Sequence, residues 1–171
     1  MQKKIEQLSH VSEEKTLLNE RLRVLESKLA QYTLAILKPD IQRIPMIREA
    51  IINHIKDNGF IILKNQEFLL SREKAALFYA EHKEKFFYTR LINSMSCGKI
   101  GVLVLQRNDA VKKWRELIGP AKIYLGLGKE KNPQTLRLCL GLTDSRNGFH
   151  GSDSLESFLK ETKFFYPDFS I

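Results

Sequence analysis

One histidine near the carboxyl-terminal end of the sequence has neighbours that suit a nucleophile. His150 follows Gly148 and precedes Gly151, and glycine lets a backbone turn sharply and approach a ligand closely. A neutral imidazole can attack phosphorus directly when an acceptor holds its second ring nitrogen. Glu161, in the predicted closing helix, is the candidate acceptor. The local sequence alone favours the simpler alternative, in which His150 merely decorates a glycine-rich loop.

A helix is expected to begin directly after this histidine, near Ser154. Asp153 and Glu156 have the Asp-x-x-Glu spacing of a capping box, in which each side chain bonds to the backbone at the other position. The remaining free N–H groups at a helix amino terminus attract phosphate oxygens. The segment therefore predicts a phosphate-binding helix start beside the imidazole.

Four further residues could complete a site for phosphoryl transfer, which depends mainly on positioned cations. Lys38 ends the first predicted strand, Arg115 lies in a predicted helix, and Arg137 lies beside the last predicted strand. Tyr79 adds a phenolic hydroxyl. Taken singly, each has an ordinary alternative: a solvated strand end, a surface helix charge or a tyrosine at the edge of the core.

Hydrophobic periodicity predicts the elements that position these residues. Period-two patterns predict strands, and period-3.6 patterns predict helices between them. We expect strands at 32–37, from 60, at 100–106 and at 136–142, and helices at 47–57, 72–82, 87–95 and 110–118, and from 154. Asp109 is the expected cap of the helix at 110–118. This order predicts an α+β fold, a split βαβ sandwich with a four-stranded antiparallel sheet.

The first 31 residues differ from the rest of the chain. They contain no glycine, proline or aromatic residue and are rich in Glu, Lys, Arg and Leu, which favours an amphipathic helix. Most heptad a and d positions are apolar, and two are lysine: Met1, Lys4, Leu8, Val11, Lys15, Leu18, Leu22, Leu25 and Leu29. The pattern favours a coiled coil with another chain or a second copy slightly over a helix folded back on its own domain. Residues 32–171 are expected to form the domain itself.

Composition narrows the class of protein. The chain has 171 residues, 43% of them hydrophobic, and a formal charge of +8, which suits one globular domain and phosphorylated partners. We see no membrane span, signal peptide or metal-ligand spacing around Cys97 and Cys139, so an intracellular location is expected. Nucleic-acid binding is disfavoured because no basic stripe is interleaved with aromatic residues.

Five segments together resemble the nucleoside diphosphate kinases, and more closely a divergent branch of that family. They are "TLAILKPD" (33–40), "FYAEHKEKFFYTRL" (78–91), "KKWRELIGP" (112–120), "TLR" (135–137) and "RNGFHGSDSLESFLKE" (146–161). The Asn-x-x-His-Gly-Ser-Asp-Ser string is very specific, and the resemblance spans about residues 32–169. It implies a ferredoxin-like core and transfer of the terminal phosphate from a nucleoside triphosphate to a nucleoside diphosphate through a phosphohistidine, with Mg²⁺.

The resemblance implies a role for each site residue. His150 would be the nucleophile, Glu161 its orienting partner, and Ser152 a support behind the histidine. Phosphates would be held by Lys38, Tyr79, Arg115 and Arg137, the ribose by Asn147, and the base by Phe87 and Leu91. Mg²⁺ would be held mainly by the phosphates, with Asp153 touching it at most through water. Because every base has a π face, stacking on Phe87 implies broad base tolerance.

Three positions depart from the family pattern. Ala121 stands where a phosphate-contacting threonine is usual, Asp144 where a valine covers the base, and Leu138 where glycine is typical. These exchanges keep a second function open, a weakly active nucleotide-binding module recruited through residues 1–31. Similar proteins leave both cytoplasm and mitochondria as expected locations.

Overall fold

The computed structural model describes residues 15–19, 21, 29–122 and 134–170. Residues 15–19 and 21 are helical. The rest of the helix predicted before the domain lies outside the described residues, so the coiled coil stays a prediction. No helix in the described ranges combines the length and the apolar character needed to cross a membrane.

The domain is built on a four-stranded antiparallel sheet. Its strands are β1 (Ala30–Leu37), β2 (Ile61–Leu69), β3 (Lys99–Asn108) and β4 (Phe149–Gly151), in the order β2-β3-β1-β4. The helices are α1 (Pro39–Gln42), α2 (Pro45–Asp57), α3 (Arg72–Phe78), α4 (Tyr88–Ser96), α5 (Ala110–Ile118), α6 (Leu136–Leu140) and α7 (Leu155–Phe165), and a 3₁₀ turn (Ala80–His82) precedes α4. This topology confirms the predicted ferredoxin-like α+β fold.

Alternation along the strands divides the core into two clusters, one on each face of the sheet. Leu34 and Ile36 face α3, α4 and α7, whereas Ala35 and Leu37 face α1, α2, α5 and α6. The register of β2 is irregular after Ile62, as expected of a bulge. Ile62 therefore packs in the cluster of Ala35 and Leu37, whereas Phe68 packs in the cluster of Leu34 and Ile36. Helices therefore cover both faces of the sheet.

The expected fourth strand at 136–142 is wrong. Leu136 and Leu140 lie one helical turn apart in α6 and pack on the same core cluster. Apolar residues at 136, 138 and 140 alternate as in a strand, but those at 136 and 140 also share one face of a helix. Leucine and arginine are good helix formers, which favours the helix. The fourth strand is instead the three-residue β4, which pairs Phe149 with Leu37 and is too short to leave a period of its own. Arg137 consequently lies on a helix, not beside a strand.

Two predicted helix caps are also corrected. Asp109 precedes α5 with a left-handed backbone (φ 54°), and its side chain makes no capping hydrogen bond. At α7 the cap is Ser154, whose hydroxyl accepts from the Ser157 N–H at 3.1 Å. Asp153 instead accepts from the Ser157 hydroxyl at 2.6 Å, so the expected pairing with Glu156 is shifted by one residue.

Candidate functional site

His150 is the middle residue of β4, at the edge of the sheet. It pairs with Ile36 of β1, and its carbonyl accepts a hydrogen bond from Trp114 Nε1 at 2.9 Å. A Cβ on Gly151 would stand 2.4 Å from the indole ring, so the glycine serves this close packing. We expected the histidine at a bend, but it lies in a paired strand. The strand and the indole together fix the backbone from which the imidazole projects.

The imidazole is oriented by a carboxylate that is itself held at both oxygens. His150 Nε2 lies 2.9 Å from Glu161 Oε1, and the Ser152 hydroxyl donates to Oε2 at 2.6 Å. Ser152 is fully buried, and its oxygen accepts from the Leu34 N–H at 3.1 Å. Because a carboxylate accepts, the proton of a neutral ring is on Nε2. This leaves Nδ1 as the lone-pair nitrogen, with no hydrogen-bond partner among the described residues. We call His150, Glu161, Ser152 and Trp114 the inner end of the site.

Two arginines converge on β4 from separate helices. Arg137 Nη2 donates to the Phe149 carbonyl at 2.9 Å, and its Nη1 donates to the Gly119 carbonyl. Arg115 Nη1 lies 3.5 Å from the Gly151 carbonyl. Burial, followed by the charge of Arg115, lowers the pKa of Arg137 to about 10. The Arg137 guanidinium stays charged at neutral pH, and an anion between the two arginines would relieve their repulsion.

Lys38 joins the end of β1 to the loop before β4. It is 4% exposed, and its Nζ donates to Asn147 Oδ1 at 2.7 Å and to the Ser145 carbonyl at 3.4 Å. The Asn147 amide donates in turn to the carbonyls of Ala121 and Asp144, at 3.2 and 3.0 Å. Burial, and then the charge of a neighbouring arginine, lower the pKa of Lys38 to about 7. A bound phosphate would favour the charged form of this lysine.

Tyr79 supplies a neutral hydrogen-bond donor next to the histidine. Its ring stands edge-on to the imidazole of His150, with the ring centres 5.8 Å apart. Among the described residues, nothing pairs with its buried hydroxyl. Burial, and then the negative charge of Glu161, raise the tyrosine pKa well above its ordinary value. The hydroxyl therefore keeps its proton and can donate a hydrogen bond to an oxygen of a ligand.

A row of rings continues from this tyrosine along one wall of the cleft. His82 stacks on Tyr79 with the centres 6.0 Å apart, and Phe87 lies edge-on to His82 at 5.8 Å. Phe86 is perpendicular to Phe87, at 5.5 Å and 84°. Arg90 lies over the Phe86 ring, 5.6 Å from its centre. We call Phe86, Phe87 and Arg90 the outer end of the site.

These residues surround one cleft of about 1620 Å³. All the predicted site residues line it except Ser152, which lies buried behind Glu161. The lining includes Lys38, Tyr79, Phe87, Leu91, Arg115, Arg137, Asn147, His150, Asp153 and Glu161. Sequence reasoning missed Trp114, His82, Phe86 and Arg90. Phe86 could have been found from the sequence, because it directly precedes the predicted base-binding residue Phe87. The contact of Trp114 with His150 could not, because it depends on packing between residues far apart in the sequence.

Asp153 fits an indirect role in binding Mg²⁺. Within them, no three His, Cys, Asp or Glu side chains are grouped so that they could hold a metal ion. Asp153 is the carboxylate at the start of α7, and its bond from Ser157 lowers its pKa. An ionised carboxylate on the cleft wall suits a contact through water, while the phosphates of a ligand would supply the direct oxygen ligands.

A comparison with protein-family models matches residues 31–171 to the model described as nucleoside diphosphate kinase. The chain is 43% identical over 143 residues to nucleoside diphosphate kinase 6 of Danio rerio, covering 84% of this chain and 80% of that protein. It is 41% identical over 140 residues to nucleoside diphosphate kinase 6 of Homo sapiens, covering 82% of this chain and 74% of that protein.

Solved structures agree with this match. The nucleoside diphosphate kinase of Aquifex aeolicus superposes with a TM-score of 0.74 at 33% identity, covering 81% of this chain and 96% of that chain. The enzyme of Encephalitozoon cuniculi superposes with a TM-score of 0.72 at 25% identity, covering 81% of this chain and 90% of that chain. The likeness therefore extends over nearly the whole of both solved proteins.

Proposed function

Because the chain belongs to the nucleoside diphosphate kinase family, we propose that it transfers the terminal phosphate of a nucleoside triphosphate to a nucleoside diphosphate through a phosphohistidine at His150. One observation carries the proposal: the His150 imidazole is held at Nε2 by Glu161, at 2.9 Å, while its ring lines a cleft that Arg115 and Arg137 also line. A nucleophile, its orienting group and cations for the transferred phosphate thus share one site.

In the first half-reaction, Nδ1 of His150 attacks the terminal phosphorus of the triphosphate. The N–P bond forms as the bond from phosphorus to the bridging oxygen breaks, and the nucleoside diphosphate leaves with that electron pair. Nε2 keeps its proton, so the phosphorylated ring gains positive charge. The Glu161 carboxylate, 2.9 Å away, stabilises this charge. In the second half-reaction, a terminal oxygen of the acceptor diphosphate attacks phosphorus. The new O–P bond forms as the N–P bond breaks, and its electron pair returns to Nδ1, which restores the neutral imidazole.

The surrounding groups stabilise the negative charge of the transferred phosphate. Arg115 and Arg137 lie beside the β4 carbonyls, and the protonated Tyr79 hydroxyl offers a donor next to the ring. Lys38 and Asn147, already bonded to each other at 2.7 Å, would bind the ribose and the inner phosphates. Mg²⁺ supplies charge neutralisation when it accompanies the nucleotide, and Asp153 would orient its water ligands.

Labelling with γ-phosphate-labelled ATP and Mg²⁺ tests the phosphohistidine. We expect acid-labile, base-stable label on the native protein and none on His150→Ala. The control is His54→Ala, since His54 is exposed on α2 and does not line the cleft; this variant should label normally. Equal labelling of native protein and His150→Ala would refute the mechanism.

A second candidate is a nucleotide-binding module with low turnover, recruited through residues 1–31. Two exchanges favour it. Ala121 faces the cleft with a methyl group and offers only its backbone carbonyl to Asn147, and Asp144 places an exposed carboxylate on the cleft wall. Turnover of purified full-length protein close to that of common family members would exclude this candidate. The molecular mass in solution, measured with and without residues 1–31, would test whether this segment causes the protein to form oligomers.

A further inference from the structure

The outer end of the site carries a polar group with no role in phosphoryl transfer. Arg90 lies in the first turn of α4, is exposed, and lines the same cleft as His150. No carboxylate among the described residues forms an ion pair with it. Its guanidinium rests on Phe86, which is 87% exposed although it is a large apolar ring. An exposed ring that supports an unpaired cation at a cleft mouth suggests a binding surface.

The row of rings connects the imidazole of His150 with this surface. Successive ring centres from His150 through Tyr79 and His82 to Phe87 are 5.8, 6.0 and 5.8 Å apart. With its terminal phosphate at His150, a nucleotide lying along this wall brings its base to Phe87. Phe86 is the neighbour of Phe87, 5.5 Å away between ring centres, and the Arg90 guanidinium lies over Phe86 in the lining of the same cleft. The edge of a base stacked on Phe87 is therefore within the part of the cleft that Arg90 lines.

The chemistry of arginine then discriminates between bases. A guanidinium is planar, with donors and no acceptor, and that of Arg90 lies 5.6 Å from the centre of the Phe86 ring. Guanine presents two adjacent acceptors, O6 and N7. Adenine presents N7 beside the donor N6, and the amino group of cytosine is also a donor. Arg90 can therefore form a bidentate pair with guanine and has a donor–donor conflict with adenine.

We propose that Arg90, held over Phe86, makes this site prefer nucleotides of 6-oxopurines such as guanine, by pairing with O6 and N7 of the base. The inference rests on the proposed function, because it assumes that a nucleotide lies with its base on Phe87. It departs from the broad base tolerance that stacking alone would give.

Calorimetric titration of the full-length protein with GDP, ADP and 7-deaza-GDP tests the preference. We expect GDP to bind about tenfold more tightly than ADP, near the lower part of the range for one bidentate arginine–guanine contact. The analogue 7-deaza-GDP, which lacks the N7 acceptor, should bind between the two. In Arg90→Met the GDP affinity should fall to that of ADP, and ADP binding should not weaken. Phe86→Leu should reduce the preference in the same direction, because it removes the support of the guanidinium.

The matched control is Lys85→Met, which removes another exposed cation of the cleft mouth. It should weaken GDP and ADP equally and keep their ratio. Equal binding of GDP and ADP by the native protein, or an unchanged ratio in Arg90→Met, would overturn the inference while leaving the phosphohistidine mechanism intact. Failure to bind any of the three nucleotides would overturn both. Label on His150 without base preference would overturn this inference alone.

Discussion

The two ends of the cleft are built in opposite ways. At the inner end Nε2 of the imidazole, both oxygens of Glu161 and the hydroxyl of Ser152 are hydrogen-bonded, and the serine is fully buried. At the outer end, Phe86 and Phe87 contact each other edge-on, and Arg90 has no carboxylate partner among the described residues. Bond formation to phosphorus needs one geometry, whereas a base can be stacked in many. Rigidity is concentrated where a nucleophile must be aligned.

The largest expected effect comes from removing the charge at the inner end. Glu161→Gln keeps the shape of the side chain but, under the proposed mechanism, no longer stabilises the positive charge on a phosphorylated ring. We expect kcat to fall about 10²–10⁴-fold, as when an orienting acid or base is lost, with KM for the acceptor diphosphate nearly unchanged. Steady-state kinetics and the rate of single-turnover labelling measure this effect.

Glu156→Gln is the matched control, since Glu156 lies exposed on α7, nearer its amino terminus, and does not line the cleft. Its kcat should remain within a factor of two of the native value. If Glu161→Gln behaves in the same way, the carboxylate does not orient or stabilise the ring, and the contrast between the two ends of the cleft disappears.

A second large effect concerns stability and its dependence on pH. Lys38 is charged in the unfolded chain up to about pH 10.4, whereas in the folded protein its pKa is about 7. Below pH 7 both states are charged, and the full cost of burying the cation is present. Between pH 7 and 10.4 the unfolded state binds more protons, so this cost declines as pH rises.

Lys38→Met should therefore raise the free energy of unfolding by on the order of 2 kcal/mol at pH 6, after the lost bond to Asn147 is allowed for. The gain should shrink markedly at pH 9. Calorimetric unfolding at the two pH values measures the difference, and Lys64→Met on the exposed part of β2 is the control. An equal gain at both pH values would show that the buried amine is not the cause.

A smaller effect is expected at the outer end. Phe87→Leu removes the π face but keeps an apolar side chain, and base stacking on an aromatic ring contributes about 1–3 kcal/mol. We expect KM to rise about five- to tenfold for every diphosphate, with kcat changed less than twofold. Initial rates with ADP, GDP, CDP and UDP give both constants. A kcat that falls as far as KM rises would place Phe87 in the chemistry and not in base binding.

Sequence reasoning succeeded where the signal was local or motif-based. The pattern at 32–37 located β1, and the helices at 47–57 and 110–118 match α2 and α5 closely. It failed at β4, because three residues carry no period and pair only when the free edge of β1 is available. The same long-range packing explains why Trp114 was missed, since its indole meets the His150 carbonyl across 36 positions of sequence.

The site residues illustrate the same division. The quoted motifs selected the cations and the histidine of the inner cleft, among them Lys38, Arg115, Arg137 and His150, because those residue types recur with fixed spacing. Arg90 was not selected, since its significance depends on the ring of Phe86 beneath it and on the 84° angle to Phe87. Angles between neighbouring rings follow from side-chain packing, so they cannot be predicted from the spacing of residues in the sequence.

The smallest expected effect restores a hydroxyl between the two ends. Ala121 lies on the cleft wall, and its carbonyl accepts from Asn147 at 3.2 Å, so a threonine there would place a new donor close to the phosphate path. One neutral hydrogen bond is worth about 1 kcal/mol, which corresponds to roughly a fivefold lower KM. Ala80→Thr adds the same group on the 3₁₀ turn outside the cleft lining and should change nothing. If Ala121→Thr leaves both KM and kcat unaltered, the missing hydroxyl does not limit turnover of this protein. The carboxylate of Asp144, on the same wall, then becomes the feature to replace.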